Sequence, residues 1–294
     1  MKIGLFAIGI GTAAHPAVIR AAAETAERTG FATVWAPEHM VLFDSHESKY
    51  PYNDTGKFAM PADSDWLDPF LALTYAAAAT SKVRLATGIC LVPERNPLIL
   101  AKEVATLDRL SGGRFALGVG IGWLKEEFDA LGVPFERRAQ RTREYIDVMR
   151  KLWSGPVVTH SGEFVRFENA RSYPKPPQGA KVPIWFGGES EPALRRVAAY
   201  GDGWFGFNLN PAQAKEKIER LRALIKERGR ERDRFEIIVS PYTQEITRDD
   251  LQRYRDAGVN EIPMGINFKP DPAQVRAQVE QMSRDWVEPA AKLG

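Results

Sequence analysis

Eight short runs rich in β-branched and aromatic residues, each followed by a stretch with helical period, leave few folds open to this chain. The runs fall at residues 2–9, 32–36, 83–88, 114–120, 184–186, 203–207, 235–240 and 260–265. Between and after them, apolar residues recur at helical spacing over 16–28, 68–81, 97–110, 136–153, from 191, over 211–228, 248–257 and from 272. Strands that alternate with helices pair in parallel, and eight such units joined by short turns predict an α/β fold of the (β/α)8 (TIM) barrel type. A doubly wound open sheet is the alternative. With 44% hydrophobic residues among 294, the chain can fill one barrel core, so a single domain over 1–294 is expected. Two insertions interrupt the repeat. After strand two, residues 40–66 form a long loop without clear period, carrying Tyr50, Pro51, Tyr52 and Pro61. Before strand five, 157–159 and 163–167 read as a hairpin about Ser161 and Gly162, and Pro174, Pro176 and Pro177 give an extended connector.

Charge excludes several classes of function. Lysines and arginines number 40 against 38 acids, interspersed, so neither a nucleic-acid groove nor a membrane-binding basic face is expected. No apolar run approaches the ~18 residues of a membrane span. Lys2 and the small apolar residues after it read as a first strand and its loop rather than a signal peptide. A single cysteine, Cys90, leaves no internal disulfide and no cysteine-based zinc site, and matches a reducing cytoplasm. No His-Glu-x-x-His spacing appears, and no metal is expected.

In a barrel the C-terminal ends of the strands open on one face, and here they converge Glu38-His39, Gly88-Ile89-Cys90, Gly120-Ile121-Gly122, Gly187-Gly188 and Asn208. Gly187-Gly188-Glu189-Ser190 joins a strand to a helix. Glycines let a ligand approach the backbone, and the first helical N–H groups sit at the positive end of the dipole, so the turn suits a phosphate; it also reads as a plain turn capped by Ser190. His39 can exchange a proton near neutral pH, or be a structural histidine. Gly88, Gly120 and Gly122 make room for a flat group. Trp35, Tyr50, Tyr52, Trp66, Trp123, Trp185 and Trp204 can wall a ring pocket, although most of them read as core or loop anchors.

The segments GFATVWAPEH, TGICLVPERNPLILAKEVATLDRLSGGRFALGVGIGW, ERRAQRTREYIDVMRKLW and PIWFGGESEPALRRVAAYGDGW, in that order and over nearly the whole chain, resemble the luciferase-like monooxygenase superfamily. More narrowly they resemble its actinobacterial oxidoreductases that use coenzyme F420. The resemblance implies a barrel with the tricyclic ring near the strand C-termini and its phosphate at Gly187, Gly188, Glu189 and Ser190. It implies that Gly88, Ile89 and Cys90 form a bulge behind the ring containing a non-proline cis peptide, and that Gly120 and Gly122 make the fourth-strand contact. It implies His39 beside the reacting carbon with Glu38 as its acidic partner, and Arg138 and Arg141 near the cofactor tail, where Arg195, Arg196, Lys175 and Lys181 add charge. One departure stands out: Trp123 occupies the place of the catalytic glutamate of F420-dependent sugar-phosphate dehydrogenases, which speaks against glucose 6-phosphate and for a larger apolar substrate.

The expected function is therefore hydride transfer between F420 and a small organic molecule. The alternatives are an FMN-dependent two-component monooxygenase and a flavin-binding protein without turnover. Small and apolar residues on the helices at 68–81 and 97–110, together with the resemblance, point to a homodimer.

Overall fold

The computed structural model describes residues 1–231 and 233–293. The strands are β1 (Lys2–Phe6), β2 (Thr33–Ala36), β3 (Arg84–Thr87), a two-residue β4 (Cys90–Leu91), β5 (Phe115–Gly120), a hairpin of β6 (Val158–Ser161) and β7 (Arg166–Ala170), then β8 (Ile184–Gly187), β9 (Gly203–Phe207), β10 (Glu236–Ser240) and β11 (Glu261–Gly265). Eight of them close a parallel ring in the order β1-β2-β3-β5-β8-β9-β10-β11. The seam is β11 against β1, aligned from Lys2 opposite Glu261 to Phe6 opposite Gly265. The chain is a (β/α)8 barrel, with the two insertions where the sequence places them.

Helices α1 (Pro16–Arg28), α2 (Pro69–Ala78), α3 (Pro97–Leu110), α4 (Lys125–Ala130), α5 (Arg138–Ser154), α6 (Glu191–Tyr200), α7 (Pro211–Glu227), α8 (Arg248–Ala257) and α9 (Pro272–Met282) wrap the ring. Their starts follow from local chemistry. Asp68, Asn96, Ser190, Asn210 and Asp271 cap α2, α3, α6, α7 and α9 through their side chains, each followed by a proline in the first turn.

The barrel interior is closed below and open above. At the strand starts, Arg84 pairs with Glu236 (2.9 Å) and Glu261 (2.7 Å), and Glu261 also accepts from Thr33 Oγ1 (3.0 Å) and Trp35 Nε1 (2.9 Å). Above this network Trp35, Trp185 and Phe205 fill the middle, with ring centroids 5.1–5.4 Å apart for Trp35 against the other two. The large cavity opens at the C-terminal end, above this plug.

The inserted hairpin differs from its sequence reading. Ser161 pairs with Arg166 and His160 with Phe167, so the turn spans 162–165, and the second strand starts three residues later than the pattern suggests. The Glu144 carboxylate on α5 accepts from the backbone N–H of Glu163 (3.0 Å) and Val165 (2.8 Å). That tertiary contact fixes the turn, and no local pattern announces it. His160, read as a loop residue, lies buried in β6 between Glu144 and Lys151. Among the described residues no helix is long and apolar enough to cross a membrane.

Candidate active site

A cavity of about 1080 Å3 occupies the C-terminal mouth of the barrel. Its floor is Phe6, Ile89 and Phe205 on the aromatic plug. One wall, from the loop after β2, is Tyr50, Tyr52, Phe58 and Trp66; Trp123 and Gly122 face it from the segment after β5, and Gly187 to Ser190 form the rim beside α6. The volume lies at the upper end of the range for small-molecule and cofactor pockets.

The floor is shaped by missing side chains. A Cβ on Gly120 would come within 2.7 Å of Ile89 Cδ1, and one on Gly187 within 2.6 Å of the same atom. Ile89 therefore lies in a slot opened by the missing side chains of Gly120 and Gly187, and a Cβ at either position would push its Cδ1 aside. The Gly88–Ile89 peptide is cis, inside the segment where the resemblance places such a bond, and Phe6–Ala7 is a second cis peptide at the end of β1. Gly188 has φ +106°, a conformation open to glycine, so the turn at the rim depends on it.

His39 leaves β2 three residues after its last strand residue and enters an aromatic box, with ring centroids 5.2 Å from Phe58, 5.2 Å from Trp66 and 6.0 Å from Trp123. Its Nδ1 lies 2.9 Å from Oε2 of Glu127 on α4. The other oxygen of Glu127 accepts from the backbone N–H of Met40 and from that of Val41 at 3.1 Å. A fully buried carboxylate that accepts along both oxygens makes Nδ1 the donor, and Nε2 is the nitrogen left for a ligand.

Glu38 does not orient His39. Consecutive residues of an extended chain point to opposite sides, and the Glu38 carboxylate turns away to accept from Arg95 Nε (2.7 Å) and from the backbone N–H of Leu91. Arg95 also binds Asp68 (2.5 Å) and Glu103 (3.1 Å), so this network ties the loop after β3 to α2 and α3. Behind it lies Glu94, a buried carboxyl with no hydrogen-bond partner among the described residues. Burial, then the charges of Glu127 and Glu38, push it up to about 9.

Two arginines reach the rim without an acidic partner. Arg138 at the start of α5 donates through Nε to Gly122 O (3.2 Å) and lies 3.7 Å from the Phe135 ring centroid. Arg196 on α6 lines the cavity and has no hydrogen-bond or ion-pair partner among the described residues. Burial, and after it the Arg138 charge, holds Arg196 below the usual guanidinium range. Like charges gathered at a cavity edge invite an anion. The Glu189 carboxyl faces the cavity, accepts from Phe207 N (2.8 Å), and is pushed by burial up to about 7.

The luciferase-like monooxygenase family model matches residues 1–285. An uncharacterized protein of Mycobacterium tuberculosis (strain ATCC 25618 / H37Rv) is 36% identical over 249 residues, which cover 84% of this chain and 86% of that one. The chain belongs to the luciferase-like monooxygenase family. Among solved structures, the coenzyme F420 dependent tetrahydromethanopterin reductase from Methanopyrus kandleri superposes with TM-score 0.75 at 20% identity, covering 98% of both chains. The FMN complex of the oxygenating constituent of 3,6-diketocamphane monooxygenase from Pseudomonas putida superposes with TM-score 0.73 at 16% identity, covering 97% of both. At such identities the two share the fold, and it accommodates either cofactor.

In this luciferase-like chain the structure brings His39, Gly88, Ile89, Gly120, Gly122, Arg138, Gly187, Gly188, Glu189 and Ser190 to one cavity. Glu38 also lines it, with its carboxylate engaged by Arg95 and Leu91 N. Cys90 does not reach it: its side chain is fully buried in β4. Arg141 does not reach it either. One helical turn beyond Arg138, its guanidinium folds back onto the loop carbonyls of Pro134 (2.6 Å) and Glu136 (3.3 Å). Of the four charges read as tail contacts, Arg195 is paired with Glu191 (2.7 Å) and Lys175 with the carbonyls of Leu152 and Gly155 (2.6 Å each), leaving Arg196 on the cavity and Lys181 off it. The residue that sequence reasoning missed is Glu127, which stands in a Lys-Glu-Glu-Phe helix start indistinguishable from a solvated one.

Proposed function

We propose that the protein is an F420-dependent oxidoreductase acting on a small, largely apolar organic molecule. The observation that carries this reading is His39 lining an aromatic-walled cavity, with Nδ1 fixed by Glu127 and Nε2 without a protein partner among the described residues. The residues present fit a tricyclic cofactor with a phosphate-bearing tail. The Ile89 slot between Gly120 and Gly187 supports a flat ring, Gly187 to Ser190 supply the turn for a phosphate, and Arg138 and Arg196 supply uncompensated positive charge beside it. Coenzyme F420, when bound, supplies or accepts the hydride.

The remaining work falls to the chain itself. When the substrate is reduced, His39 delivers a proton from Nε2 to the atom next to the carbon that gains the hydride; when it is oxidised, Nε2 takes that proton away. Glu127 stabilises the protonated imidazole and holds its orientation. Phe58, Trp66 and Trp123 exclude water and favour an apolar substrate such as an alkene, ketone or aromatic compound. In the same proposal the protein acts as a cytoplasmic homodimer.

The second reading is an FMN-dependent monooxygenase supplied by a separate reductase, favoured by the same turn and arginines, which suit a phosphomonoester as well. Titration of the purified protein with F420 and with FMN, followed by absorbance and fluorescence, separates them. At least roughly tenfold tighter binding of F420 is expected. Equal or tighter binding of FMN, with oxygen consumption when a flavin reductase is added, replaces the first reading with the second.

A further inference from the structure

We propose that Glu189 couples the binding of a phosphate group at the Gly187–Ser190 turn to the uptake of one proton. This rests on the reading above that the turn holds the cofactor's phosphate. Glu189 is the third residue of the turn and lines the same cavity, so its largely buried carboxyl lies close to any phosphate held by the turn's N–H groups. The carboxyl is not free to leave. Oε1 accepts from Phe207 N at 2.8 Å, and the residue is mostly covered by the loop after β2 and by the end of β9.

The groups around it do not neutralise it. From the loop after β2 come the phenols of Tyr50 and Tyr52, whose ring centroids are 5.4 Å apart; burial first, with the Glu189 charge contributing, pushes both up, so they stay neutral. Tyr242, after β10, stands behind Tyr50 and against Phe207, and is likewise pushed up by burial. The N–H groups of Phe207 and of Glu189 itself, and after them Lys217 on α7, favour the charged carboxylate less than burial disfavours it, and no cation stands within 4.0 Å of it among the described residues. Arg138 and Arg196 lie on the cavity rim toward the phosphate and carry no carboxylate partner. An arriving anion therefore meets cations on one side and an unneutralised acid on the other.

With burial pushing that acid to about 7, the free protein near neutral pH is a mixture of protonated and ionised forms. A phosphate beside it disfavours the ionised form further, because like charges in low dielectric repel. Occupancy and protonation then stabilise each other, and affinity for the phosphate declines as pH rises through the neutral range.

The test compares ligands with and without the phosphate on wild type and Glu189→Gln. Dissociation constants are measured from pH 7 to 9 for F420 and the same deazaflavin lacking the phosphate tail, and for FMN and riboflavin. Calorimetry in two buffers of different ionisation enthalpy counts the protons taken up. In the wild type the affinity advantage conferred by the phosphate should shrink roughly fivefold or more over this range, with about half a proton or more taken up at pH 8. In Glu189→Gln, which keeps an acceptor for Phe207 N, the advantage should vary less than about twofold. If neither phosphate confers an advantage at any pH, the turn is not the phosphate site, and the reading beneath the proposal falls with it. If the advantage exists but is independent of pH, varies alike in Glu189→Gln, or comes without proton uptake by the wild type, the cradle stands and the coupling is refuted.

Discussion

Nδ1 of His39 and Oε2 of Glu127 lie 2.9 Å apart across 88 residues of chain, and this contact fixes the orientation of the imidazole that follows β2. The carboxylate is itself held by the N–H groups of Met40 and Val41, the two residues that follow the histidine, so ring and acid are fixed as one unit. Glu127→Gln leaves an acceptor for those amides but presents an NH2 to Nδ1, favouring the tautomer with its proton on Nε2. Turnover should fall roughly 10²- to 10⁴-fold with the KM for cofactor changed far less. His39→Ala should cost as much, and the double variant little more than either alone. Additive losses under conditions where chemistry limits the rate would separate the two residues.

Arg196 offers a second check, because it has no hydrogen-bond or ion-pair partner among the described residues to lose. Arg196→Ala should weaken binding of a phosphate-bearing cofactor by roughly tenfold or more and leave the phosphate-free ring unaffected, since a charge-assisted hydrogen bond contributes about 1.5–3 kcal/mol. Equal weakening of both ligands would mean that the side chain shapes the ring pocket instead.

The barrel is legible in the sequence because its units repeat one signal, an apolar run of strand length followed by a stretch of helical period, and several helices start at a side-chain cap such as Asp68 or Asn210. The backbone half of the site is legible for the same reason, since glycines at strand ends such as Gly120 and Gly187 are local markers. What stayed hidden depends on contacts distant in sequence. Adjacency suggested Glu38 for His39, yet the extended backbone turns the two side chains apart and α4 brings Glu127 in from far along the chain. Arg141 looked equivalent to Arg138, and one turn of helix converts a cavity residue into a loop anchor. The hairpin slipped because Glu144, a residue of α5, selects its turn.

Glu94 gives a prediction about stability against pH. Its folded carboxyl is pushed up to about 9, first by burial and then by Glu127 and Glu38, against 4.5 unfolded. Between those values the folded state holds a proton that the unfolded state has released, so this group makes stability fall as pH rises, by up to about 1.4 kcal/mol per pH unit, and the decline ends above about 9. Glu94→Gln keeps the shape and removes the titration. It should stabilise the protein by an amount on the order of 1–3 kcal/mol at pH 8, and the gain should vanish near pH 4.5. Denaturant unfolding of both proteins at pH 5, 7 and 8.5 measures the difference, and a gain independent of pH would contradict it.

The outer face of α2 and α3 yields the last prediction. Helix α2 contains no charged residue, and Leu71 is 72% exposed on it beside Tyr75; Ile99 on α3 is 60% exposed beside Leu98. An isolated exposed leucine needs no explanation, but several on two adjacent helices form a face that water covers at a cost. A two-fold pairing of two copies through this face would bury each side chain twice, at about 1.5–3 kcal/mol for each one fully covered. The protein should therefore scatter light as a dimer at micromolar concentration. Leu71→Glu with Ile99→Glu should place four charges in that interface and raise the dimer dissociation constant by at least roughly 10³-fold, leaving the melting of the separated barrel little changed. A wild-type monomer at these concentrations, or a dimer that survives both substitutions, would assign the face no such role.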